Sequence, residues 1–294
     1  MRQGVLILLH NNYEQARKLI SFFDKEGNHI FLHIDKKSSF SDADKTLFLE
    51  SACNAKVTFV DRVSVQWGGY SLVQASMNLF KEASKYELDY YHLISGVDMP
   101  LKPWKDFNDF FEKNSGTQFV SYSPEQYQNS LQKRVKYYWI FQEKIGSPKR
   151  AIKQKDIWKI ILLAIQRIFV EIQRILGIDR RKKNSDVRFR MGSEWVSLTK
   201  EFVDYIVSKE LWIEKTFANT LCADEVFVET LLDNSKFSSR VMPNQRLVDW
   251  NRGNPYVFHI DDLNELLSCD KMFARKFDQN VDGRIIDALY SAVK

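Results

Sequence analysis

The chain has 294 residues, of which 44% are hydrophobic and 28% charged, enough for one large or two small domains with a full core. Three widely separated cysteines without a CxxC pair argue against a disulfide framework and a structural zinc site. The first apolar segment is too short to span a membrane and does not have the form of a signal peptide. We therefore expect a cytoplasmic protein.

The first 120 residues alternate between short apolar segments and amphipathic ones, which is typical of βαβ units. The predicted strands are Val5–Leu9, His29–Ile34, Lys56–Val60, Tyr90–Ile94 and Gln118–Val120. The predicted helices between them are Tyr13–Phe23, Asp42–Cys53, Gly69–Lys85 and Lys102–Asn114. Because the strands are short and apolar, we predict an α/β fold with a mostly parallel central sheet flanked by helices.

Residues 131–190 form a basic block, with 17 Lys and Arg against 5 Asp and Glu. Residues 157–176 predict a helix with isoleucines on one side and Lys, Arg and Gln on the other, followed by the basic run Arg180–Lys183. This helix either packs on the domain with a solvated basic side, or segment 155–183 docks on the inner face of an anionic membrane. The charge has no nucleic-acid-binding signature beside it, so we expect no nucleic-acid partner.

We interpret residues 131–190 as a basic helical insertion within a single domain of residues 1–294. After Met191 the globular pattern resumes. The predicted elements there are the strand Trp195–Leu198, the helix Lys200–Ser208, the helix Ala223–Leu232, the strand Leu247–Trp250 and a helical segment from Asp261 to the end.

Several acidic residues stand at the ends of predicted elements. Asp35 follows the second strand, and Asp98 follows the fourth in the turn Ser95-Gly96-Val97-Asp98. Ligands of open α/β sheets bind beyond the carboxyl ends of the strands, so both carboxylates are site candidates. Ser95 and the glycine beside it permit close approach of the backbone to a ligand. The sequence Asp42-Ala43-Asp44 follows a serine at a helix start, which favours capping over metal binding.

Taken in order, the motifs of the chain resemble those of glycosyltransferase family 14. This family contains the core-2/I-branching β-1,6-N-acetylglucosaminyltransferases and the peptide O-xylosyltransferases. The motifs are Ile7-Leu8-Leu9-His10, His33-Ile34-Asp35-Lys36-Lys37-Ser38, Arg62–Ser71, Leu93–Lys102, Gly192-Ser193-Glu194-Trp195, Ala223-Asp224-Glu225 and Phe273–Asp278. The resemblance implies a GT-A-like nucleotide-sugar-binding fold and inverting transfer of a sugar from a UDP-sugar to a hydroxyl group.

The resemblance also implies roles for individual residues. Asp35 matches the acid that contacts the uracil end of the donor, and Arg62 matches a basic donor-site residue. Glu225 matches the general base that takes the acceptor proton. Lys276 matches a cation on the UDP diphosphate, and Arg252 lies one position from a second.

Five further residues complete the predicted site. His10 closes the first motif and is assigned to the donor site together with Ser95 and Asp98. Trp195 can stack on a sugar ring, because ring-shaped ligands commonly contact aromatic side chains, and its neighbour Glu194 is assigned with it to the acceptor and sugar side.

The turn that ends at Asp98 supplies one carboxylate where most GT-A enzymes have the two of a DxD pair. Fixed cations must then stabilise the departing diphosphate, so we expect no metal and no cofactor besides the UDP-sugar substrate. We expect GlcNAc as the sugar and a glycan or lipid-linked saccharide as the acceptor. The alternatives are a UDP-xylose donor, a Mn²⁺ site built from Asp98 with Asp42 and Asp44, or a non-catalytic protein that binds a membrane surface.

Overall fold

The computed structural model describes residues 1–294 and contains ten β-strands in two sheets. The strands are β1 (Gln3–Leu9), β2 (His29–Ile34), β3 (Lys56–Phe59), β4 (Tyr90–Ser95), β5 (Met99–Pro100), β6 (Gln118–Phe119), β7 (Ser197–Thr199), β8 (Val241–Met242), β9 (Arg246–Val248) and β10 (Phe273–Arg275). The large sheet has the order β3-β2-β1-β4-β7-β6-β8, and its first four strands are parallel. The small sheet has the order β5-β10-β9.

Thirteen α-helices cover the sheets. They are α1 (Tyr13–Phe22), α2 (Asp42–Glu50), α3 (Tyr70–Ala83), α4 (Trp104–Lys113), α5 (Gln128–Lys136), α6 (Gln142–Ile145), α7 (Pro148–Lys153), α8 (Ile157–Ile175), α9 (Lys200–Ser208), α10 (Glu210–Phe217), α11 (Phe227–Asp233), α12 (Leu263–Ser268) and α13 (Gln279–Val293). No helix combines the length and the apolar character needed to cross a membrane.

The core lies on both faces of the large sheet because successive side chains of a strand point in opposite directions. In β1, Val5, Ile7 and Leu9 pack in one cluster with α1, α4, α12 and α13. Leu6 and Leu8 pack in the other cluster with α3, α9 and α11. The prediction of an α/β fold with a mostly parallel sheet flanked by helices is confirmed.

The strand order of the large sheet reverses between β1 and β4. The chain adds β2 and then β3 on one side of β1, and returns to place β4 on the other side. The carboxyl ends of β1 and β4 therefore form a topological switch point, the place where ligands bind in open α/β sheets. His10 and the turn Ser95–Asp98 follow these two strand ends.

Most predicted elements exist within a few residues of their predicted bounds, but three predictions were wrong. The helix predicted at Ala223–Leu232 is a 3₁₀ turn at Ala223–Glu225 followed by α11. The segment predicted as helical from Asp261 is interrupted by β10, whose apolar residues fill the middle of the small sheet. Helix α10 and strand β5 had no prediction.

The third error concerns the orientation of α8. One of the two interpretations that the sequence left open packs the isoleucine side on the domain, yet the side chains that α8 buries include Gln166 and Gln173, while the isoleucine side faces solvent. The amides of these two glutamines bond to the backbone of Phe141 and Tyr138, which fixes the polar side of the helix inward.

Candidate functional site

The turn after β4 holds Asp98 in a buried position. The backbone N–H and the hydroxyl of Ser95 donate hydrogen bonds of 2.8 and 3.0 Å to its carboxylate. Nε of Arg275 lies 3.1 Å from Asp98 Oδ1. Burial raises the pKa of the Asp98 carboxyl, and the charge of Arg275 opposes that rise. Asp98 therefore organises the turn and holds an arginine at the switch point.

Gly96 allows this turn to lie against β1. A Cβ atom at Gly96 would come within 2.0 Å of Cδ2 of Leu9, so no other residue fits without movement of the Leu9 side chain. The sequence predicted close approach of a ligand at this glycine, whereas its nearest neighbour is a core side chain. Ser95 remains at the edge of the sheet, with its hydroxyl committed to Asp98.

Arg275 joins the turn to a second predicted motif. Strand β10 pairs with β5, which directly follows Asp98, and this pairing places Arg275 at the switch point. Its guanidinium carbon lies 4.2 Å from the centre of the Trp195 ring, a distance typical of a cation–π contact. The structure thus brings Asp98, Arg275 and Trp195 together, and one face of the Trp195 ring is already occupied by the arginine.

The loop after β2 positions Asp35. The carboxylate accepts hydrogen bonds from the backbone N–H groups of Lys37 at 2.9 Å and Val65 at 3.3 Å. Arg62 donates to the carbonyl oxygens of Ile34, Asp35 and Ser38 at distances of 2.7 to 3.2 Å. Because its guanidinium donates to backbone carbonyl oxygens, Arg62 stabilises the loop that carries Asp35.

His10 directly follows β1. Burial lowers the pKa of the His10 imidazole, with Asp35 opposing the change and Lys276 adding to it, so the three side chains share one electrostatic environment. The backbone N–H of Phe277 donates to the carbonyl of Val97 at 2.9 Å, which fixes the Lys276 segment against the turn after β4. The charges of the predicted donor residues Asp35 and Lys276 therefore both act on His10.

A group of acidic side chains lies beside this site. Glu194, Asp224 and Glu229 have buried carboxylate oxygens without hydrogen-bond partners. Burial raises the pKa of Asp224 to about 7, and the neighbouring charge of Glu225 adds to the rise. Burial also raises the pKa values of Glu194 and Glu229 well above their usual range. These carboxyl groups therefore hold protons more tightly than exposed acids do.

Glu225 differs from its acidic neighbours. Its side chain is 41% exposed, and Oε2 lies 2.5 Å from Nη1 of Arg134 on α5. The backbone carbonyl of Glu225 accepts a hydrogen bond of 2.8 Å from the N–H of Gly192, which ties the residue to the Glu194–Trp195 motif. Two adjacent acids thus have different environments, since Asp224 is buried with an unpaired oxygen and Glu225 is accessible and paired with Arg134.

Arg252 lies in a network of its own. Its guanidinium pairs with Asp249, with Asp262 at 2.7 Å and with Glu265 at 2.9 Å. Its guanidinium carbon is also 4.4 Å from the ring centre of Tyr256. Three carboxylates already balance its charge, so the structure does not make Arg252 available to a diphosphate in the way it does Lys276.

Asp44 caps α2, as the sequence predicted. Its carboxylate accepts a hydrogen bond of 2.7 Å from the Ser41 backbone N–H, while the Ser41 hydroxyl accepts one from the Asp44 N–H. No three Asp, Glu, His or Cys side chains of the chain come together in a group that could hold a metal ion.

Sequence reasoning missed two arginines of the site. Arg275 belongs to a motif that was noted, and its signal was its position next to Lys276. Arg134 belongs to the basic region 131–190, where the sequence offers no motif that would single it out from 16 other Lys and Arg residues. Only the fold brings it to Glu225.

Comparison with known proteins identifies the family. The model of the Core-2/I-branching enzyme family matches residues 5–268. The xylosyltransferase sqv-6 of Caenorhabditis briggsae is 25% identical over 98% of this chain and 36% of its own length. Xylosyltransferase 2 of Rattus norvegicus is 23% identical over 98% of this chain and 33% of its own length. The chain thus spans about a third of the length of these relatives.

Solved structures also resemble the chain, at low identity. Mouse xyloside xylosyltransferase 1 covers 93% of this chain with 11% identity and a TM-score of 0.37. Core-mannan synthase A of Aspergillus fumigatus covers 82% with 10% identity and a TM-score of 0.39. The match of the family model extends over most of the chain and includes six of the seven motifs. The chain belongs to the Core-2/I-branching enzyme family, glycosyltransferase family 14.

Proposed function

We propose that this chain transfers xylose from UDP-xylose to a hydroxyl group of a glycan acceptor, with inversion at the anomeric carbon. The observation that carries the proposal is the Asp98–Arg275–Trp195 contact, to which two groups are connected, one by the hydrogen bond of Gly192 to Glu225 and one as the residue after Arg275. One is the half-exposed carboxylate of Glu225, and the other is the ammonium of Lys276.

The donor occupies the crevice at the ends of β1 and β4 in this proposal. The uracil end lies near Asp35, whose carboxylate the loop after β2 holds in place. The diphosphate lies near Lys276, which carries its positive charge without an ion pair of the kind that engages Arg252. His10 borders the same space and, because its pKa is lowered, is neutral near pH 7 and can donate or accept a hydrogen bond.

The transfer is a single displacement. The acceptor oxygen forms a bond to the anomeric carbon while the bond from that carbon to the β-phosphate oxygen breaks, and UDP leaves with the electron pair. Glu225 takes the acceptor proton, because its carboxylate is accessible to an acceptor hydroxyl. Lys276 stabilises the charge that develops on the departing diphosphate.

The relatives favour xylose over GlcNAc as the donor sugar. Both reported sequence relatives are named xylosyltransferases, so we place UDP-xylose, the alternative named from the sequence, ahead of UDP-GlcNAc. Family membership likewise favours an enzyme over a non-catalytic binding protein.

We propose that the reaction needs no metal ion. Asp98 is buried against Arg275, and Asp44 is used in the cap of α2. These contacts do not favour a Mn²⁺ site that combines Asp98 with Asp42 and Asp44.

A panel of UDP-sugars tests the proposal. A ligand that binds only the folded state raises its melting temperature, so the purified chain should be stabilised by UDP-xylose more than by UDP-GlcNAc or UDP-glucose. Release of UDP from the stabilising donor should be measured with EDTA and with added Mn²⁺. Stabilisation by UDP-GlcNAc alone would overturn the choice of sugar, and no response to any UDP-sugar would overturn the proposed activity.

A further inference from the structure

Helix α8 exposes its apolar side. Six isoleucines spaced three or four residues apart follow one line along the helix, each between 44% and 78% exposed: Ile157, Ile161, Ile165, Ile168, Ile172 and Ile175. At 1.5 Å per residue this strip is about 27 Å long. A soluble monomer rarely leaves an apolar strip of this size uncovered.

The orientation of the helix is fixed from the opposite side. Oε1 of Gln166 accepts a hydrogen bond of 2.9 Å from the N–H of Phe141. The amide of Gln173 bonds to both the N–H and the carbonyl of Tyr138, at 2.8 and 3.0 Å. Rotating α8 to bury the isoleucines would break these buried bonds, and each broken bond would leave an unpaired polar group.

Positive charge surrounds the strip. Residues 149–183 contain eleven Lys and Arg and three Asp and Glu. Arg167 and Arg174 are exposed beside the isoleucines, and Lys153 precedes the helix. The exposed Trp158 stands at the first turn, and such amphipathic rings favour the boundary between lipid and water.

The apolar strip and the positive charge around it together indicate the kind of partner. A second copy of the chain would cover the isoleucines, but it would also bring two strongly basic segments together, and like charges repel. An anionic phospholipid bilayer offers apolar acyl chains for the strip and phosphate groups for the cations around it.

We propose that α8 lies flat in the headgroup region of an anionic phospholipid bilayer, with its isoleucines in the acyl boundary and its flanking cations on the lipid phosphates. The proposal is independent of the proposed donor and reaction. It specifies the membrane docking that the sequence left open, because the structure exposes the isoleucine side as the face that enters the bilayer.

Helices α6 and α7 both pack against α8. Helix α6 is tied to the domain through Glu143, whose carboxylate accepts two hydrogen bonds of 2.8 Å from Ser71 at the start of α3. The docked helix would therefore hold the whole domain at the membrane.

Co-sedimentation of the full chain with vesicles tests the proposal. One vesicle contains phosphatidylcholine alone, and the other contains equal parts of phosphatidylcholine and phosphatidylglycerol. The chain should bind the anionic vesicle at least about tenfold more tightly, and added salt should weaken this binding. Replacing Ile161, Ile165 and Ile168 together by Gln should weaken it at least about tenfold.

The controls separate docking from folding. Leu211→Gln changes a side chain that is 70% exposed on α10, away from the strip, and should leave vesicle binding unchanged. Arg167→Gln should weaken binding to anionic vesicles about fivefold, the effect of one surface charge. All three variants should keep the melting temperature and the UDP-sugar response of the parent chain, because the altered side chains are exposed.

Three results would overturn the proposal. The first is an intact chain that binds neither vesicle, and the second is a triple isoleucine variant that binds as tightly as its parent. The third is a chain that sediments as a dimer, becomes a monomer on replacement of the isoleucines and ignores vesicles, since a second copy would then cover the strip.

Discussion

Replacing Asp224 by Asn should stabilise the protein at alkaline pH. Asp224 and Glu225 are adjacent in sequence, but the first is buried without a partner for Oδ1, and the second is exposed beside Arg134. Asn has the shape of the protonated acid and carries no proton that can be lost. The substitution therefore removes the effect of burying a charge while keeping the volume of the side chain.

The magnitude follows from the pKa of Asp224, which burial raises from 3.8 to about 7. Because the folded state holds the proton more tightly, stability from this group is complete below pH 3.8 and is lost as the pH rises to about 7. Each pKa unit corresponds to about 1.4 kcal/mol, so the loss approaches about 4 kcal/mol. The Asp224→Asn variant should not undergo this loss of stability.

The assay is urea unfolding of the parent chain, Asp224→Asn and Glu225→Gln at several pH values. The Asp224 variant should equal its parent near pH 4 and exceed it by up to about 4 kcal/mol near pH 8. Glu225→Gln is the comparison variant, since removing its charge relieves only the smaller cause of the raised pKa of Asp224 and should give a smaller gain. In UDP release, Glu225→Gln should lose activity by about 10²- to 10⁴-fold while Asp224→Asn retains it.

Two results would refute this reasoning. If Asp224→Asn is less stable than its parent near pH 8, the carboxylate makes favourable contacts that the structure does not contain. If Asp224→Asn loses transfer as completely as Glu225→Gln, the roles of the two acids are wrongly divided.

Three further predictions concern the rest of the site. Lys276→Ala should lower the turnover of the donor by about 10²- to 10³-fold, measured as UDP release. Arg252→Ala should lower the melting temperature and leave the response to UDP unchanged. Equal losses of turnover in the two variants would contradict the different roles of Lys276 and Arg252. EDTA should leave the rate of UDP release unaltered, and a rate restored only by Mn²⁺ would contradict the metal-free proposal. Gly96→Ala should destabilise the fold by about 1 to 3 kcal/mol through contact with Leu9, as urea unfolding would show, and Leu9→Ala in the same chain should relieve part of that contact.

The parallel half of the sheet could be predicted because its strands are apolar on both faces. A strand such as β1, with every residue buried, belongs between two layers of helices, and its sequence shows this directly. The short strands β5 and β10 have two and three residues, too few to give a pattern of their own. Their pairing depends on contacts between residues far apart in the chain.

Periodicity predicted α8 but not its orientation. An amphipathic pattern identifies two faces, and the usual rule assigns the apolar face to the core. Here the loop around Tyr138 and Phe141 offers backbone groups that need partners, and Gln166 and Gln173 supply them. The choice of face depended on those distant groups, which the local pattern does not contain.

The acids of the candidate site were predictable from their positions at element ends, and the arginines were not. Asp35 and Asp98 follow apolar strands, so the switch point of the sheet gathers them by topology. The pairing of β10 with β5 positions Arg275 at the site, and the packing of α5 positions Arg134 there. Arginine positions of this kind become visible only with the tertiary structure.

Strand β10 has a consequence for the order in which the site is built during synthesis. It supplies Arg275 and its segment supplies Lys276, but its neighbours in the sheet include β5, about 170 residues earlier in the chain. In the proposed mechanism, a ribosome that has made the β1–β4 sheet and the Glu225 motif has made a chain without the cation for the diphosphate. Donor binding would then begin only after β10 and Lys276 have emerged and paired with β5.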